Sequence, residues 1–286
     1  MNIITQILDS RKNSFVSEVA ELSTSKFLNI RALSYSLGFI ITSIENLDSS
    51  KLKDSFKPNL ENIPSEWIIK ETDKLISDQF DGYDLIDGFP KTTRLCNYLK
   101  SQLFIALMSE LEDYLSHILE LILLAYPDKL QSDNFNISHV LTQPNADELI
   151  KEKVTKKIIN KQYGSPRQFF NFLVTTLDEK QTINHLISKQ NISDPVIKQT
   201  KSQEISLEQF FSDYVEMKLR RNLGVHNGWM RNELYDSNIL KYGGKIYSGD
   251  FLGINSFYFR QSMDVAIDIV SKCNMLCNFG FSATTL

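Results

Sequence analysis

Between Lys91 and Pro127 the apolar residues return with a helical period through Leu95, Tyr98, Leu99, Leu103, Ile105, Ala106, Leu111, Leu115, Ile118, Leu119 and Ile122. A stripe that recurs every three to four residues for about thirty residues is a long α-helix, and this one is too wide for a single partner. Whatever this chain folds into must therefore pack several elements around one central rod. Pro127 ends the helix, because the residue before a proline is pushed out of the α region.

The rest of the chain repeats the period. Residues 1–50 place Ile3, Ile7, Leu8, Phe15, Val19 and Leu22 on one face, and Ser23-Thr24-Ser25 predicts a break before a second helix over 27–47. A polar stretch over 48–64 reads as a loop and 65–76 as a third helix. Asp81-Gly82 and Asp87-Gly88-Phe89-Pro90 are turns. The boundary therefore falls near Pro90, with an extra helical region over 1–90 and a helical domain over 91–286. Further helices are expected over 147–162, from Ser165-Pro166 through Leu177, from a Ser206 cap through Val225, and over 261–279. Gly243, Gly244, Gly249 and Gly253 alternate with Ile246, Tyr247, Phe251, Ile254 and Tyr258, which predicts a small β-hairpin over 241–259. The fold class is mainly α.

Composition limits the function. Lys+Arg 31 against Asp+Glu 35 gives a net charge of −4, which excludes a histone-like polycation but leaves room for a local basic site. Three cysteines are too few for a disulfide scaffold. The first residues lack the basic flank and apolar centre of a signal peptide, and the longest apolar runs are too short for a membrane span. A soluble, cytoplasmic protein with no membrane partner is expected. Gly243-Gly244 matches no phosphate-loop pattern, so no nucleotide cofactor is expected. Cys273 and Cys277 share a helix face without a nearby His, so they read as buried apolar residues and no metal is expected. His117, His139 and His185 read as structural or surface residues.

Two segments carry candidate chemistry. Lys151, Lys153, Lys156, Lys157 and Lys161 gather around Val154, Ile158 and Ile159. They form either a solvated helix face or a stripe that attracts the phosphates of RNA. The second segment is Glu216-Met-Lys-Leu-Arg220-Arg221-Asn222-Leu-Gly224-Val-His226-Asn227-Gly228. Asn227-Gly228 is a helix stop, which places His226 in the last turn, on the face of Asn222 four residues back. Arg221 lies about 7.5 Å of rise behind, within reach of a long side chain. Gly224 weakens a helix by about 1 kcal/mol relative to Ala, and close approach of a second helix would explain it.

The string RRNLGVHNG resembles the arginine-polar-x-x-x-histidine motif of HEPN domains. These are helical ribonuclease folds of prokaryotic toxins, abortive-infection effectors and some CRISPR-associated nucleases. It is most similar to the RiboL-PSP/MAE-type group, whose motif commonly runs RN-x-x-VHN-G. The helix LKSQLFIALMSELEDYLSHIL resembles the first long helix of the family, with its acidic residue. The resemblance implies a HEPN-like bundle over 91–279 and a metal-independent endoribonuclease, toxin or antiviral effector, restrained by a cognate antitoxin or regulator. It also implies a homodimer whose two motif helices form one composite cleft; Gly224 is expected near the two-fold axis, because a helix-weakening glycine beside the motif permits close helix contact. Arg221 and His226 match the catalytic pair and Asn222 the polar position. Arg220 and Asn227 stand as possible support, and Glu110 or Glu112 as the first-helix acid. The competing expectation is a HEPN-like module that binds RNA or protein without cutting.

Overall fold

A computed structural model describes residues 3–45, 91–130 and 135–282. Its helices are α1 (Ile3–Glu45), α2 (Lys91–Ala125), α3 (Ile137–Val140), α4 (Ala146–Gln162), α5 (Pro166–Thr176), α6 (Glu179–Lys189), α7 (Pro195–Ile205), α8 (Phe211–Asn227), α9 (Glu233–Tyr242) and α10 (Ser256–Ser282). The chain is mainly α. The loop, third helix and turns expected over 48–90 lie outside the described residues.

Helix α2 is the central rod. Phe104, Leu107, Met108, Leu111, Tyr114, Leu115, Ile118, Leu119, Ile122 and Leu123 are all fully buried, which spreads the apolar arc over about half of the helix circumference. Among the described residues, α1 and α10 and then α4, α5 and α8 pack on it. This is the multiple packing that the broad stripe demands.

The break expected at Ser23-Thr24-Ser25 is absent, and α1 runs unbroken for 43 residues. Serine interrupts helices by offering its hydroxyl to local backbone. Here the Ser23 hydroxyl, buried, lies 3.0 Å from the Tyr114 hydroxyl, which itself donates to the Val270 carbonyl at 3.1 Å. The polar atom is used across the α1–α2–α10 seam, so it does not compete with the helix. Buried Ser23, Ile30 and Leu37 repeat every seven residues, the narrow stripe of a coiled-coil contact. Lys26 adds ion pairs to Glu110 at 2.8 Å and Asp113 at 2.5 Å. Residues of α1 thus share one core with those of α2 and α10.

The hairpin expected over 241–259 is also not built. Residues 243–255 form an irregular loop, bridged once, antiparallel, from Phe251 to Met230. Its backbone bonds go to helices and to the turn after α8: Lys245 N–H donates to the Ser212 carbonyl, Arg231 N–H to the Asp250 carbonyl and Leu252 N–H to the Trp229 carbonyl. The loop's apolar residues Leu252 and Ile254 are buried in the helical core, so alternation here serves packing against helices.

Candidate active site

The cap at Ser206 starts a short 3-10 turn, Leu207–Phe210, before α8 begins. Phe211, Tyr214, Val215, Leu219 and Leu223 then fix α8 in the core. It ends at Gly228, with φ 54°, followed by Trp229 at φ 67°. Two successive left-handed residues turn the chain sharply, and the second is a bulky side chain that rarely adopts this conformation. The turn leaves Asn222, Val225, His226 and Asn227 exposed. His226 therefore stands in the last helical turn, one turn beyond Asn222. The close approach at Gly224 is made by the same chain, not by a second helix: a Cβ at 224 would land on the Trp229 indole.

Arg221 reaches across to α2. Its Nη2 donates to both carboxylate oxygens of Glu112, at 3.2 and 3.1 Å, and Lys218 Nζ lies 3.1 Å from the same carboxylate. All three side chains are about four-fifths buried, with relative exposures of 22%, 21% and 15%. Two cations on one anion leave a surplus positive charge, and the buried Nε of Arg221 has no hydrogen-bond partner. Glu110, two residues from Glu112, projects from another side of the helix, as 100° per residue requires. It accepts from Lys26 and Asn29 of α1, which holds its carboxyl below the usual range. Glu112 alone of the two candidates meets the motif; Glu110 ties α1 to α2.

Arg220 is not a free cation beside the motif. It is 4% exposed, donates to Glu216 at 2.6 Å, and lies over the rings of Tyr258 at 3.8 Å and Tyr247 at 4.6 Å. Glu216 also accepts from the hydroxyls of Tyr235, at 2.9 Å, and Tyr258. Burial pushes the Glu216 carboxyl up, opposed by these donors. One helical step of 100° thus separates an arginine that clamps the 243–255 loop from one that faces a cleft. Asn227 donates to the Met230 carbonyl at 2.6 Å and so braces the turn.

The lysine stripe divides into two sets. Lys151 pairs with the half-buried Asp147 at 2.8 Å and Lys156 with the exposed Glu152, both as i,i+4 pairs within α4. Lys153, Lys157 and Lys161 repeat every four residues on another face, where Lys153 lies over Phe135 and Lys157 over Phe172. Burial, then the charges of Lys153 and Lys161, holds Lys157 below the usual lysine range.

A cavity of about 480 Å³ opens between α8, α2 and the α4–α5 turn. Glu112, Lys218 and Arg221 line it, with Asn222 beside them and Tyr163 and Tyr242 as aromatic walls. Tyr214 also lines it, is fully buried, and carries a hydroxyl without a hydrogen-bond partner. Burial pushes that phenol up, and the nearby Glu112 charge adds to it, so the hydroxyl keeps its proton. Sequence reasoning passed over Tyr214 and Lys218 as site residues. Their spacing carried the signal: Tyr214, Lys218 and Arg221 stand at i, i+4 and i+7, one face of one helix.

Cys273 and Cys277 are buried, where burial pushes both thiols up. His117 is half-exposed, 3.4 Å from Asp113, and His139 and His185 are exposed. Among the described residues no three His, Cys, Asp or Glu side chains converge as a metal site would, and no helix is long and apolar enough to cross a membrane. Compared with known protein families, with curated proteins and with solved structures, the chain matches none.

Proposed function

We propose that this chain is a metal-independent endoribonuclease of HEPN type that cuts RNA by transesterification as a homodimer, acting in the cytoplasm as a toxin or antiviral effector under a cognate regulator. The observation that carries the reading is the exposed His226 in the last turn of α8, one turn beyond Asn222 on the rim of a cleft that holds Arg221, Lys218 and Glu112. A histidine side chain can serve as general acid or general base in such a reaction. Guanidinium offers planar donors to phosphate oxygens. In the reaction the RNA 2′-OH loses its proton to one histidine and its oxygen bonds to phosphorus. The P–O5′ bond breaks, and the leaving oxygen takes a proton from the second histidine of the dimer. The products are a 2′,3′-cyclic phosphate and a 5′-OH, with arginine donors on the pentacoordinate phosphorus. Val225, beside His226, and the bridged residues Met230 and Phe251 leave apolar surface exposed, which suits an isologous contact that brings two histidines together.

The pair between Arg221 and Glu112 favours a second reading, a module that binds RNA or protein without cutting, since the guanidinium is partly spent within one chain. Incubation of the protein with 5′-labelled RNA in EDTA separates the two. Cleavage to cyclic-phosphate ends, reduced about 10²–10⁴-fold in His226→Ala, supports the nuclease. Intact RNA with every preparation refutes it.

A further inference from the structure

The cleft holds more unspent chemistry than an exposed histidine needs. Three features coincide in it. The first is a surplus cation: Lys218 and Arg221 face the single carboxylate of Glu112. The second is a pair of buried donors without acceptors, the Tyr214 hydroxyl and the Arg221 Nε. Leaving such groups unpaired is costly, and an incoming oxyanion would satisfy both. The third is a wall suited to a flat ring bearing polar edges. Tyr163 is 88% exposed on the rim, a large aromatic surface left to solvent. Asn222 and Asn238 add amides, which both donate and accept, as the edge of a nucleobase requires. At about 480 Å³ the cavity is in the size range of small-molecule sites and has room for one nucleotide.

We infer that this cleft is a one-nucleotide pocket that sets base preference: phosphate on Lys218, Tyr214 and the Nε of Arg221, whose guanidinium bridges from there to the attacked phosphate, and base against Tyr163 and the two asparagines. The pocket lies beside His226 and does not include it. It takes the nucleotide that flanks the attacked phosphate, and in that role it rests on the ribonuclease reading. Lys218 and Tyr214 are then positioning residues, since they hold the neighbouring nucleotide and touch no reacting atom.

The test measures binding apart from cleavage. His226→Ala protein is titrated calorimetrically with AMP, GMP, CMP, UMP and inorganic phosphate, each up to about 10 mM. One nucleotide should bind several-fold more tightly than the others and than inorganic phosphate. Added Lys218→Ala should weaken that binding about tenfold or more, and Tyr214→Phe about two- to tenfold. Tyr214→Phe should leave the melting temperature of the free protein unchanged or raised, because it removes an unsatisfied hydroxyl; a structural hydroxyl would lower it. Equal binding of the four nucleotides, inorganic phosphate bound as tightly, no saturable binding, or indifference to Lys218→Ala would each overturn the pocket. Base-selective binding in a protein that leaves RNA intact would keep the pocket and refute the nuclease. Base-indifferent cutting would do the reverse.

Discussion

Two adjacent arginines should respond in opposite ways to the same substitution. Arg220→Ala leaves Glu216, 1% exposed, without its cation, and removes the guanidinium over Tyr247 and Tyr258. Breaking a buried pair by deleting one partner costs about 3–5 kcal/mol. At about 2–4 °C per kcal/mol for a chain somewhat smaller than this one, the melting temperature should fall by on the order of 10 °C. Arg221→Ala removes a partly exposed pair whose carboxylate keeps Lys218, so about 0–1 kcal/mol is expected. RNA cleavage should nonetheless be lost in Arg221→Ala at a temperature where it remains folded. Differential scanning calorimetry of both variants, alongside the cleavage assay, decides the matter. An Arg220→Ala protein that melts within 2 °C of the parent, or an Arg221→Ala protein that melts as low as Arg220→Ala, would refute the division of labour.

Gly224→Ala should destabilise by about 1–3 kcal/mol despite the better helix propensity of Ala, because its methyl meets the Trp229 indole; a raised melting temperature would contradict this. Cleavage should survive EDTA, and Arg221→Lys should impair it strongly, since the charge remains but the planar fork is lost. Lys157→Ala should lower the slope of log K against log[salt] for single-stranded RNA by about 0.7, while Lys156→Ala, already paired with Glu152, should leave it unchanged. The hydrogen bond from Lys26 holds Glu110 below the usual carboxylate range, and Asp113 also lies below it through Lys26 and His117, against opposing burial. The unfolded chain therefore takes up protons first as pH falls. The stabilisation present at neutral pH should be lost as pH falls from the ordinary carboxylate range through the lowered folded-state values, and Lys26→Met should flatten the urea-midpoint profile below about pH 5.

What the sequence made legible followed from periodicity. The stripe of α2 is so regular that its length and its many partners could be read directly, and Pro127 marked its end. The break at Ser23 and the hairpin over 241–259 failed for one reason: local patterns do not say what distant residue will take a polar atom or a backbone group. Ser23 found Tyr114, 91 positions away, and Leu252 found the Trp229 carbonyl. The same blindness affected the candidate site. Glu110 and Glu112 are equal as letters, and only the position of α1 against one side of α2 and α8 against another distinguishes them.

The turn after α8 links these observations. Trp229 occupies a left-handed conformation that costs a non-glycine residue on the order of 1–3 kcal/mol, and it is only 6% exposed. Burying an indole against Gly224 and beside Phe104 offsets that strain. The strain ends the helix abruptly: with Gly228 and Trp229 turned back and Asn227 bound to Met230, the chain cannot continue over the histidine that precedes them. Gly224 and Trp229 thus act as one unit. Together they keep the last turn of α8 short, exposed and fixed against α2, which is what an imidazole needs if it is to meet a phosphodiester beside the cleft.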